Sequence, residues 1–69
     1  MPDALAMLLN AADDAALARA VTTAGGTETA MLLLHDAAYQ FQAQGAPHAE
    51  ILAVGAVLER VDALAQRHG

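Results

Sequence analysis

The chain has 69 residues, with eight Asp and Glu against three Arg, no Lys and no Cys, and 57% of it is hydrophobic. A chain this short holds one domain with a modest core, and the missing cysteines exclude disulfides and thiolate metal sites. A net charge of −5 with so few cations argues against direct nucleic-acid binding, because a phosphate backbone must be neutralised by several Lys or Arg.

Nineteen of the apolar residues are Ala, which favours helix strongly and adds little core volume. Residues 1–69 are therefore expected to form a single all-α interaction domain. Self-association is the direct way for such a chain to bury more surface, so a homodimer is expected. No uninterrupted apolar run approaches the roughly 20 residues of a membrane span, and the N-terminus lacks the basic start of a signal peptide. The expectation is a cytoplasmic protein without membrane contact.

From Met1 to about Thr23 the pattern is helical but weakened in the middle. Asp3 is placed to cap it, and Leu5, Leu8, Leu9, Ala12, Ala16 and Leu17 fall near one face at helical spacing. Asn10 and the Asp13-Asp14 pair interrupt that face and are able to cap a second helix running to Val21, so one helix and two helices both fit. Thr22 to Gly26 is the first clear break, with Gly25-Gly26 supplying a permissive backbone.

A long central helix follows, from Thr27 to Gly45. Thr27 is placed to cap it, Glu28 suits the positive end of its dipole, and Gly45 followed by Pro47 is a stop signal. At roughly 100 degrees per residue, Ala30, Leu34, Ala37, Ala38 and Phe41 form one stripe suited to a core, with Met31 and Leu33 at its borders. The run Met31-Leu32-Leu33-Leu34 is too wide for that stripe alone. Leu32, His35 and Tyr39 lie on a different flank, which is half apolar and half polar. Such a flank suits an interface, since Tyr buries its ring while its hydroxyl reaches a polar partner.

Pro47 suits the first turn of the last helix, Glu50 its positive dipole end, and Arg67 and His68 its negative end. Ile51, Val54, Leu58, Val61 and Ala65 form its seam at 3-4-3-4 spacing. Gly55 beside the seam, with Ala53 and Ala56, is expected to permit close helix approach, while Leu52, Val57 and Leu64 lie off it. The short connection through Gly45-Ala46-Pro47 makes the central and last helices antiparallel neighbours. The expected fold is an antiparallel helical hairpin with an N-terminal helical segment, forming a dimeric bundle. Leu34, Phe41, Ile51, Val54, Leu58 and Val61 are its core or dimer-packing residues.

Chemistry finds little support. His35, Asp36 and Tyr39 form the densest polar cluster, but no second His sits one turn away to complete a helical metal site. His48 and His68 are expected in solvent. Asp13 and Asp14 point about 100 degrees apart on a helix and do not share an acid–base site; capping or solvation is their expected use. Arg19, Arg60 and Arg67 are scattered, whereas a pocket for an anionic substrate needs convergent cations. No enzyme activity, cofactor or metal is expected. A helix–turn–helix around Gly25-Gly26 would offer Met31 to Leu34 as its reading surface, with no Arg, Lys, Asn or Gln in the first turns. The partner-binding residues are expected to be Tyr39, His35, Leu32 and Asp36.

These features together resemble the small anti-quorum-sensing proteins of temperate Pseudomonas phages: a chain of 69 residues, Ala/Leu-rich, acidic, without Cys, with the lone Tyr39 in Leu32-Leu-Leu-His-Asp-Ala-Ala-Tyr39. The resemblance covers the full length and rests on no short motif. It implies a dimeric phage protein that binds a LuxR-type transcriptional activator at its DNA-binding domain and blocks promoter binding. It also implies a second host target, the type IV pilus assembly ATPase, whose inhibition serves superinfection exclusion. Small type III secretion co-chaperones, which are also helical hairpins of about this length, are the alternative. Such a protein would use its apolar helix faces to keep another subunit soluble, as an assembly adaptor.

Overall fold

The structure is a computed structural model that describes residues 3–68. Among them are four helices, α1 (Ala4–Asn10), α2 (Asp14–Ala24), α3 (Thr27–Gln44) and α4 (His48–His68), and no strand. The solvated side chain expected for His68 lies outside the described part.

The N-terminal segment is two helices. Asp3 caps α1 by accepting the Leu5 N–H at 3.1 Å, and Asp13 caps α2 by accepting the Ala16 N–H at 2.8 Å. Between them Ala11 is extended, while the Asn10 side-chain amide donates to the Ala6 carbonyl at 2.9 Å, four residues back in α1. The break divides the face drawn from Leu5 to Leu17: Leu8 and Leu17 are buried, but Ala12 is exposed in the link. A helix as short as α1 does not persist alone, so its stability comes from packing.

The first turn region differs from the expected Thr22–Gly26 break. α2 continues past Val21 to Ala24, and within it Thr22 and Thr23 donate their hydroxyls to the Ala18 and Arg19 carbonyls, at 3.1 and 2.9 Å, instead of capping a turn. Gly25 (φ 109°) ends it, with its N–H on Thr22 O and the Gly26 N–H on Val21 O. Thr27 is not a cap. Gly26 occupies that position and no side chain caps α3, since two successive positive-φ glycines complete the reversal before Thr27 is reached. α3 ends as expected at Gly45 (φ 72°), and the Pro47 carbonyl accepts the Glu50 N–H at 3.0 Å at the start of α4.

Every helix contributes to one core. Leu8, Leu17, Leu34, Val54 and Val61 are fully buried, joined by Ala11, Ala20, Val21, Ala30, Ala37 and Val57. Phe41 and Leu58 pack against this cluster half-buried, and Ile51 is half-buried. Val57 corrects the expectation that it lies off the seam. The N-terminal helices also pack on α4, so its buried face is wider than a two-helix contact requires. Gly55, Ala53 and Ala56 are exposed, and nothing lies within 4 Å of a Cβ built on Gly55. Close approach at Gly55 is therefore not a feature of this chain's own packing.

α3 and α4 make the most extensive helix contact, followed by α1 and α2. Two arginines of α4 bind the N-terminal pair. Arg60 donates to the Ala11 carbonyl at 3.0 Å in a partly buried contact, and Arg67 pairs with Asp14 at 3.0 Å. The second pair is more than half exposed at both side chains, and pairs of that kind add well under about 1 kcal/mol. The accessible surface is 4490 Å², close to the roughly 4,100 Å² expected for a folded monomer of this mass.

Three substitutions separate these contributions in urea unfolding. Gly55→Ala is expected to raise stability by about 0.5–1 kcal/mol, because it removes backbone freedom at an open helical site. Gly25→Ala is expected to lower it, since φ 109° strains any side chain, and Leu34→Ala to lower it by about 2–5 kcal/mol. A lowered midpoint for Gly55→Ala would contradict the exposure of that face.

Candidate interaction surface

The outward face of α3 follows from the arithmetic of its inward one. Leu34 is buried, and Leu32, Asp36 and Tyr39, spaced at i, i+4 and i+7, turn to the opposite side. Leu32 is 69% and Tyr39 67% exposed. Asp36 and His35 beside them are also exposed. Among the described residues, no side-chain hydrogen bond or ion pair engages His35, Asp36 or Tyr39. The four residues expected to bind a partner thus share one unpartnered face. The wide apolar run resolves residue by residue: Leu34 enters the core, Met31 packs against it, Leu33 is half-buried, and Leu32 alone turns outward.

Charge reinforces this face. Residues 20–59 contain no Lys or Arg and four carboxylates, Glu28, Asp36, Glu50 and Glu59. Both cations of α4 are drawn to the N-terminal helices by the contacts of Arg60 and Arg67. α3 and the first half of α4 therefore present apolar side chains within an uncompensated negative field, which favours encounter with a basic surface. Leu52, 59% exposed, adds apolar surface on α4 as expected.

The remaining polar candidates have separate structural uses. Asp13 caps α2 while Asp14 pairs with Arg67, and His48 is exposed. No group of three or more His, Asp or Glu able to hold a metal ion occurs among the described residues, and no described helix is long and apolar enough to cross a membrane.

Two surface grooves were not foreseen from sequence. One, of about 220 Å³, is lined by Leu9, Phe41, Glu50, Ala53 and Val54. The other, of about 390 Å³, is lined by Met7, Asn10, Ala11, Ala16 and Arg19. Neither includes Leu32, His35, Asp36 or Tyr39. Both depend on where α1 docks, and no spacing within a single helix reports that.

Comparison of the chain with protein families, with curated proteins and with solved structures finds no match to any of them.

If the α3 face is free surface, truncating it leaves the fold intact. Tyr39→Ala and Leu32→Ala are each expected to shift unfolding free energy by no more than about 0.5 kcal/mol, measured by urea titration. A loss as large as that of a core truncation would place these side chains in a packed interface between copies of the chain.

Proposed function

We propose that this protein is an acidic helical binding protein that inhibits a host regulator stoichiometrically by covering its basic surface. The observation that carries the reading is the α3 face, where Leu32 and Tyr39 stand more than two-thirds exposed beside Asp36 and His35. An amphipathic aromatic with an apolar neighbour supplies contact energy, while the surrounding carboxylates supply selectivity for a cationic partner. In line with the resemblance to phage anti-quorum-sensing proteins, the proposed target is a LuxR-type transcription factor at its DNA-binding domain, in the host bacterial cytoplasm. The type IV pilus assembly ATPase is the proposed second target.

An antiparallel hairpin of α3 and α4 and a homodimeric state belong to the same reading. The hairpin accords with the three-residue connection 45–47 and the extensive α3–α4 contact. The second reading, a helical co-chaperone or assembly adaptor of a secretion system, draws on exposed Leu52 and the apolar surface around it on α4. A partner that is insoluble on its own would distinguish it from an inhibitor of a stable regulator.

The test is displacement. A purified LuxR-type DNA-binding domain bound to a labelled promoter duplex is titrated with the protein, and fluorescence anisotropy is followed at low and high salt. The expected result is release of the duplex, weaker at high salt, with Tyr39→Ala reducing potency about tenfold or more, as truncation of an interface anchor does. Full potency in a folded Tyr39→Ala protein would remove Tyr39 from the contact, and no release at any concentration would remove this target.

A further inference from the structure

The groove between α1, α3 and α4 carries an inference beyond the α3 face. Its lining is Leu9 from α1, Phe41 from α3, and Glu50, Ala53 and Val54 from α4. Val54 is fully buried and Leu9 and Phe41 are half-buried, while Glu50 and Ala53 are exposed at the mouth. An apolar cavity of about 150 Å³ accommodates benzene, so a groove of about 220 Å³ is large enough for one leucine or phenylalanine side chain. Ala53 is exposed at the mouth, and its methyl group leaves the recess open.

Glu50 is the one charged group of the lining, and among the described residues it has no ion-pair partner. It stands one turn before Ala53 and Val54 on the same side of α4, within the cation-free segment 20–59. A carboxylate at the rim of an apolar recess disfavours anionic ligands and is left unused by a neutral hydrocarbon. It complements an apolar anchor accompanied by a positive charge.

We propose that this groove is a second docking site, which receives one Leu- or Phe-sized side chain from a basic amphipathic helix while a Lys or Arg one turn away on that helix pairs with Glu50. Anchor and cation at i and i+3 or i+4 lie on one helix face, which matches the offset between the recess and Glu50. The site is separate from the α3 face: Phe41 and Tyr39 are two positions apart, about 200 degrees around the helix. A second copy of this chain fits poorly as the occupant. Its exposed Leu32 and Tyr39 share their face with Asp36, and its exposed Leu52 shares one with Glu59 at i+7, so a carboxylate would be brought against Glu50 in either case.

The test uses a fluorescein-labelled amphipathic helical peptide bearing one Phe with Arg four residues on, titrated against the full chain by anisotropy. Two control peptides replace the Phe by Ala or the Arg by Glu. Binding of the Phe/Arg peptide is expected to exceed that of both controls. Ala53→Leu, which obstructs the recess, is expected to weaken it about tenfold or more. Glu50→Gln, an exposed substitution that leaves packing alone, is expected to weaken it several-fold and flatten its salt dependence. Tyr39→Ala is expected to leave it unchanged. Equal binding of the Arg and Glu peptides, or wild-type affinity in both Ala53→Leu and Glu50→Gln, would overturn the proposal. Loss of binding in Tyr39→Ala alone would also overturn it and would move the peptide to the α3 face, leaving the inhibitor reading intact. Sedimentation that shows wild-type dimers dissociated by Ala53→Leu would overturn it in favour of a second copy.

Discussion

Core volume is the scarce quantity on which this structure depends. With so much of its apolar content in alanine, the chain has few large side chains to bury, and it distributes them so that no helix is left without an anchor: Leu8 on α1, Leu17 on α2, Leu34 on α3, Val54 and Val61 on α4. Ala20 and Ala30 are buried in the same cluster, where they take up little volume. One consequence is that α1, too short to hold its own helix, is kept by its place in that cluster. Leu32, Tyr39 and Leu52 nevertheless remain outside it.

Much of the fold was legible because it is written in local backbone chemistry. Asp3 as a cap, Gly45 as a stop and the buried stripe from Ala30 to Leu34 and Ala37 are each decided within one turn of helix. What was not legible was decided between helices or by competition within a turn. Whether α1 and α2 were continuous depended on Asp13 choosing the backbone of α2 over solvent. The Thr22-Thr23 pair suggested a break, but their hydroxyls bond back to the preceding turn and both residues stay in α2, leaving Gly25 to end it. Val57 is buried instead of lying off the seam because α4 meets three helices rather than one, and Gly55 faces solvent instead of a neighbouring helix.

The same division holds for the interaction surface. The outward position of Leu32, Asp36 and Tyr39 follows from angular arithmetic once Leu34 is placed inside, so that face was readable. The recess under Glu50 was not, since Leu9, Phe41 and Val54 come from three separate helices and meet only after α1 has docked. The role of Arg60 was not legible either. In sequence it was one of three scattered cations, and its contact with the Ala11 carbonyl has no local signature.

That Arg60 contact bears on how the chain assembles. The two most extensive helix contacts join neighbours in sequence, α1 with α2 and α3 with α4, and contacts of that kind form early because little chain must be closed to make them. Bringing the two pairs together is the non-local event, and the α4 guanidiniums act at the junction: Arg60 on the carbonyl that ends α1, Arg67 on the first residue of α2. Arg60 is therefore the working part of a clasp between the halves of the molecule, to which the exposed Arg67 pair adds little. Loosening that clasp would disturb the seating of α1 and the recess it helps to wall, while the outward face of α3, built on a helix paired with its own neighbour, would keep its shape.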